Sequence, residues 1–276
     1  MSLLNIESIK KNYSNFTLQI DDLKIAQNEI VGLIGDNGAG KTTMLEAIKF
    51  SPENNTILFK DQILKNDDPH LGYLKSWGPL YSSMKIRDFI HMYKSTFHEW
   101  DQNLCESLLN KYGIFYKSGE TNIGDLSTGK LMQLYFVLTL CHNPQFLLFD
   151  EATSGLDPFI REEINSDLKE FVKEHKIGMI YSSHIISDIE KIATRLLLIR
   201  AGKIILDEEI DKLKTDYFVC SKRDLNNCSA NSFSIINSFE DRMVIKVMDP
   251  SLKEIFKNKQ HTIENIIFGL YGGAYA

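Results

Sequence analysis

The chain has 276 residues, 43% hydrophobic and 25% charged, a balance that suits a globular protein with a full core and room for one appendage. Its formal net charge of -6 weighs against nonspecific nucleic-acid binding, which draws on clustered Lys and Arg. No apolar run nears the roughly 20 residues needed to cross a bilayer and the amino-terminal stretch lacks an apolar signal core, so any membrane role is expected to run through a partner.

In chain order, strands are expected near Leu4 to Ile9 and Phe16 to Ile20, forming an antiparallel sheet. Ile30, Val31, Leu33 and Ile34 read as a buried strand, and "KTTMLEAIKF" has helical spacing. Between Ser83 and Asn143 the pattern is mostly helical, with "MKIRDFIHMYKSTF" and "DQNLCESLLNKYG" as two helices. A further helix opens at a Ser127 cap, its apolar stripe carried by Leu131, Leu134, Tyr135 and Leu138. Phe146 to Phe149 form a buried strand, Asp157 and Pro158 start a helix with Ile160, Ile164, Leu168, Phe171 and Val172 on one face, and strands follow at Ile177 to Ser182 and Arg195 to Ile199. This alternation predicts an α/β core. From about Ile210 onward a small mixed appendage is expected, with "RMVIKVMD" as a strand and "TIENIIFGLYG" as a helix whose apolar side holds Ile263, Ile266 and Ile267. The scattered Cys105, Cys141, Cys220 and Cys228 lack metal-ligand spacing and are expected to be reduced thiols of a cytosolic protein.

Gly35, Gly40, Lys41 and Thr42 fit G-x-x-x-x-G-K-[ST] between a strand and a helix, the pattern of a phosphate-binding loop. Glycines let successive amides turn onto one anion, and the following helix points its positive end there. ATP is expected to lie on Gly35, Asp36, Asn37, Gly38, Ala39, Gly40, Lys41, Thr42 and Thr43, with Lys41 on the β- and γ-phosphates and the Thr42 hydroxyl on Mg2+. Hydrolysis also needs a carboxylate for the metal and a group that orients water. Asp150 and Glu151 follow an apolar strand, so Asp150 is assigned to the magnesium shell and Glu151 to the attacking water. At the Ser127 helix, a hydroxyl, the Gly129 amide and a helix dipole make a second anion site.

The order of phosphate loop, "LSTGK", "LLFDEATSGLD" and "YSSH" resembles the ATP-binding subunits of ABC transporters over roughly the first 210 residues. The resemblance implies a P-loop NTPase (RecA-like) core with an antiparallel β-subdomain and an inserted helical subdomain at about 83–143. The ATP-binding domain would span 1–210, with a small α+β appendage at 211–276. It implies that Ser127 and Gly129 reach ATP held by a second ATPase subunit in a head-to-tail dimer, and that Ser154 to Asp157 cross that interface. It further implies that His184 senses the γ-phosphate as a catalytic residue beside Glu151 and Lys41, and that Tyr13 stacks on adenine. An integral membrane subunit would be the partner, placing the chain in the cytoplasm on the inner face of the membrane. "FHEWDQN" and "DEATSGLDP" resemble bacterial exporter ATPases more than nutrient importers.

Three positions depart from the family pattern. Ser76 stands where a glutamine usually reaches the metal and the membrane partner, and Thr128 and Lys130 stand where glycine and glutamine are common. These changes lead to an expectation of slow turnover, or of pairing with a different ATPase chain. The alternative function is a soluble ABC ATPase without a transmembrane partner, such as an iron-sulfur assembly factor.

Overall fold

The computed structural model describes residues 2–50, 55–75, 81–114, 121–225, 228–229, 231–257 and 262–272. The chain opens with a hairpin of β1 (Ser2–Tyr13) and β2 (Phe16–Ala26), then β3 (Ile30–Ile34), α1 (Lys41–Lys49), β4 (Thr56–Phe59), β5 (Gln62–Ile63) and β6 (Leu71–Lys75). Next come α2 (Ile86–Ser95), α3 (Gln102–Lys111), α4 (Thr128–Cys141), β7 (Phe146–Asp150), α5 (Pro158–His175), β8 (Gly178–Ser182), α6 (Ile186–Ile192) and β9 (Arg195–Arg200). The remainder is β10 (Lys203–Glu209), α7 (Ile210–Asp216), β11 (Tyr217–Ser221), β12 (Phe233–Phe239), β13 (Arg242–Val247), α8 (Pro250–Lys257) and α9 (Ile263–Leu270).

The central sheet runs β10-β9-β3-β8-β7-β6, parallel except for β10. Strands β3, β7 and β8 are buried at every position, which explains their unbroken apolar reading, since helices or a second sheet cover both faces. An antiparallel sheet, β2-β1-β4-β5, closes one side. Leu4, Ile6 and Ile20 pack there against Leu33, Leu45 and Leu197. Helices α2 to α6 cover the opposite face through Phe89, Leu109, Leu134, Phe136, Leu168 and Ile189. Parallel pairing aligns the carboxyl ends of the strands, so Lys75 registers with Asp150 and Asp150 with Ser182. Ligands of open α/β sheets gather at that edge.

Both caps expected from sequence form: Ser127 accepts from the Lys130 amide at 3.3 Å, and Asp157 from the Phe159 amide at 2.9 Å. The expected stripe on α4 is a correction. Every residue from Leu131 to Cys141 is buried, because α2, α3, α5 and the central sheet surround this helix. The "FHEWDQN" segment braces its end. The Phe97 ring stacks on His142 at 4.1 Å, and the Asp101 amide donates to the Cys141 carbonyl at 2.7 Å. Burial lowers the His142 imidazole to about 4, so the stack is between uncharged rings.

The carboxy-terminal sheet, β11-β13-β12, is antiparallel. One face packs Phe218, Met243 and Val247 on Leu252 and Phe256 of α8. The other turns Phe239 and Val244 toward α9, whose Ile263, Ile266 and Ile267 join the core that includes Ile189 and Ile192. The appendage thus shares a core with the α/β body. Cys220 and Cys228 are free thiols, as are Cys105 and Cys141.

Candidate functional site

The loop between β3 and α1 turns on two glycines with left-handed backbone, Gly38 at φ +81° and Gly40 at φ +112°. A Cβ at Gly40 would also lie 2.8 Å from the Phe16 ring, so only glycine fits there. The first helical bond of α1 runs from the Met44 amide to the Gly40 carbonyl at 2.8 Å. The Lys41, Thr42 and Thr43 amides therefore open outward from the helix end, a ready cradle for an anion. A cleft of about 460 Å³ runs from Tyr13 and Phe16 across the loop from Asp36 to Thr43 and reaches Glu151. Tyr13 is 55% exposed at its mouth, offering a free ring face.

Lys41 is 5% exposed, and its ammonium donates to the Gly35 carbonyl at 2.6 Å and the Asp36 carbonyl at 3.3 Å. It also lies 3.2 Å from Glu151 Oε1. A triphosphate arriving on the loop would compete for this cation, since phosphate oxygens are stronger partners than neutral carbonyls.

Asp150 ends β7 inside the protein and Glu151 turns out of it. The Glu151 backbone is left-handed at φ +49°, uncommon for a residue with a Cβ and held only where neighbours over-determine it. Ser182 is the neighbour that does so. Its hydroxyl accepts from the Glu151 amide at 3.0 Å and donates to Asp150 Oδ1 at 3.1 Å, while its carbonyl accepts from the same amide at 3.2 Å. His184 Nδ1 stands 3.7 Å from Glu151 Oε2, so the carboxylate lies between Lys41 and His184. Asp150 Oδ2 faces the Tyr73 hydroxyl at 3.5 Å and the Lys75 ammonium at 4.0 Å. Burial, then the Asp150 charge, pushes the Tyr73 phenol up, leaving it a neutral donor. The turn after Glu151 is pinned by Thr153, whose hydroxyl pairs with that of Tyr181 at 2.6 Å; Tyr181 in turn donates to Asn165 at 3.0 Å.

A hydroxyl from Thr42 and a carboxylate from Asp150 form a hard oxygen set. It suits Mg2+, an ion that keeps several waters and is completed by substrate phosphates rather than by an all-protein cage.

The fold therefore gathers Tyr13, the loop from Asp36 to Thr43, Asp150, Glu151 and His184 at one sheet edge. Ser127 and Gly129 sit elsewhere, at the start of α4. Ser127 and Thr128 are exposed, and Gly129 is buried so closely under Ile160 that a Cβ would approach its side chain to 2.6 Å. Lys130 turns inward and donates to the Tyr112 carbonyl at the end of α3, so its charge is spent on a helix terminus. The Ser76 assignment lies outside the described residues. Four residues near the site went unassigned in the sequence: Phe16, Tyr73, Ser182 and Tyr271. Strand register could have found Ser182, which pairs with Asp150 across β7 and β8. Nothing local marks Tyr271, whose hydroxyl meets the Asp36 amide at 3.1 Å from 235 positions away.

Residues 18–154 match the ABC transporter family. The chain is 30% identical over 213 residues to the lantibiotic transport ATP-binding protein SrtF of Streptococcus pyogenes, covering 76% of this chain and 92% of that one. It is 31% identical over 206 residues to the energy-coupling factor transporter ATP-binding protein EcfA2 of Clostridium tetani, covering 69% and 72%. Among solved structures, an ATP-binding subunit of an ABC transporter superposes with a TM-score of 0.65 at 19% identity, covering 77% of this chain and 92% of that one, a likeness of fold.

Proposed function

The chain belongs to the ABC transporter ATP-binding proteins and is an ATPase, and we propose that it powers a bacterial exporter by closing as a dimer on two ATP. The observation that carries this reading is the meeting of Lys41 and Glu151 at 3.2 Å on the phosphate loop, with Asp150 and Ser182 directly behind. Adenine lies on Tyr13, and the triphosphate on the amides of the loop and α1. Lys41 leaves the Gly35 carbonyl and Glu151 for the phosphate oxygens, which frees Glu151 to orient and deprotonate water. His184 holds Glu151 from its other side and contacts the γ-phosphate. Thr42 and Asp150 would hold Mg2+, which neutralises charge on the β- and γ-phosphates when bound.

Ser127 and the Gly129 amide, exposed or at the open end of α4, are suited to ATP bound by a second ATPase subunit. An integral membrane subunit handles the transported molecule, with this chain peripheral to it, in keeping with its similarity to ATP-binding subunits of transporters; no described helix is long and apolar enough to cross a membrane. The exporter direction follows the sequence likeness of "FHEWDQN" and "DEATSGLDP" and the similarity to a lantibiotic transport protein. The test is light scattering of the Glu151→Gln protein with and without Mg-ATP. A monomer-to-dimer shift is expected. A persistent monomer that still binds ATP would refute self-pairing and point to a different ATPase chain.

A further inference from the structure

Among the described residues, the appendage reaches the candidate nucleotide site through Tyr271. Helix α9 is set firmly. Thr262 caps its start, accepting from the Asn265 amide at 3.2 Å, and Asn237 of β12 donates to the carbonyls of Gly269 and Leu270 at its end, at 2.9 and 3.2 Å. Gly269 lies flush on the appendage sheet, where a Cβ would fall 2.4 Å from Val244 and 2.7 Å from Phe239. The next turn delivers Tyr271, 3% exposed, against the phosphate loop. Its hydroxyl accepts from the Asp36 amide at 3.1 Å and donates to the Ile199 carbonyl at 3.3 Å, and the Arg200 guanidinium sits 5.3 Å from its ring centre.

The Asp36 N–H and the Gly35 C=O belong to the same peptide unit. Lys41 holds the carbonyl end at 2.6 Å and Tyr271 the amide end at 3.1 Å. Once Lys41 turns to a phosphate, Tyr271 is left as the side chain gripping that peptide. The grip is directional, because Tyr271 is tied to the β9 carbonyl against which the loop itself runs: a Cβ on Gly35 would lie 2.5 Å from Ile199 O. Tyr271 also walls a second cleft, of about 440 Å³, into which Asn37, Glu151 and His184 open.

We infer that Tyr271 is a positioning residue for the phosphate loop, through which the carboxy-terminal appendage sets affinity for ATP while leaving the chemical step alone. The inference rests on the ATP-site reading above. Removing the hydroxyl leaves the Asp36 amide unpaired and the Gly35–Asp36 peptide free to rotate, so the loop must be ordered by the nucleotide itself.

The experiment uses the full chain, measuring the Kd of Mg-ATP by fluorescence titration together with kcat. Tyr271→Phe is expected to weaken binding about five-fold through the lost hydrogen bond to the Asp36 amide, with kcat unchanged; the second bond it loses is to the Ile199 carbonyl of β9, not to the loop. Asp36→Pro removes the same donor from the other side. In an Asp36→Pro background only the Ile199 bond remains for Tyr271→Phe to remove, so its effect on Kd should be clearly smaller than in the parent. An unchanged Kd in Tyr271→Phe, a fall in kcat alone, or full additivity of the two substitutions would overturn the inference while the parent still binds ATP. A parent chain that binds no ATP would instead overturn the functional reading, and the inference with it.

Discussion

Charge is handled in opposite ways at the phosphate loop and around the carboxy-terminal sheet. At the loop, the buried Lys41 is held by two carbonyls and by Glu151, partners that an arriving anion can replace. Glu151 itself keeps a left-handed backbone at φ +49°. Around the appendage two carboxylates have fixed mates. Glu208 accepts from Lys246 at 2.5 Å and from Tyr217 at 3.1 Å, and Asp216 accepts from Lys253 at 2.5 Å. Burial works to raise the Glu208 and Asp216 carboxyls, but the hydrogen bonds from lysine and from the neighbouring hydroxyls prevail and hold both below the ordinary range. Exchangeable partners mark the candidate site, whereas closed pairs tie the carboxy-terminal sheet to the body.

Four changes break or sharpen that contrast. Glu151→Gln keeps the shape and removes the proposed base, so kcat should fall by about 10² to 10⁴ with ATP affinity retained. Activity at the parent rate would remove Glu151 from the chemistry. Lys41→Ala should weaken Mg-ATP binding by about 100-fold, since it deletes the charge-assisted contacts to phosphate; a titration showing parental affinity would detach the loop from nucleotide binding. Ser182→Ala removes the hydroxyl shared by Asp150 and the Glu151 amide, and a fall in kcat of about ten-fold is expected from two lost hydrogen bonds. An unchanged rate would show that the Ser182 carbonyl alone holds the Glu151 turn.

The smallest effect belongs to the ion pair that joins β10 to the appendage. Glu208→Gln should lower Tm by about 2 °C without moving ATP affinity, and a shift in affinity would erase the contrast. Its pH dependence has a definite sign. Glu208 titrates lower in the folded protein than its ordinary 4.5, so its contribution is present above that value and lost as pH falls through the folded value. Lys246 is raised above its ordinary 10.5, first by the Glu208 hydrogen bond, so its share is present below that value and lost as pH rises through the folded one. Thermal melts across pH should show a weaker acid dependence in Glu208→Gln than in the parent.

Much of the candidate site was legible in the chain because its parts are local. The glycine spacing before Lys41, the apolar run ending in Asp150 and Glu151, and the caps Ser127 and Asp157 each depend on neighbours within a few residues, where backbone geometry and helix-end chemistry act. The helix carrying Ile263, Ile266 and Ile267 was visible for the same reason, as its spacing presents one face. Helix α4 shows where such reading stops. A stripe of apolar residues and a helix buried all round share the same first turns, and only the surrounding helices decide between them.

The chain alone thus indicated the strand, loop and helix of the phosphate loop and the acidic pair after its apolar strand, since these follow from short-range spacing, but not β11, β12 or α8 of the carboxy-terminal region. Tertiary structure alone decided which groups those residues touch. It turned Lys130 away from the surface to the Tyr112 carbonyl, set Ser182 between Asp150 and Glu151, and brought Tyr271 onto the Asp36 amide. A hydrogen bond between residues 235 apart leaves no periodicity to read, because its geometry is the sum of every packing contact that places α9 against β9.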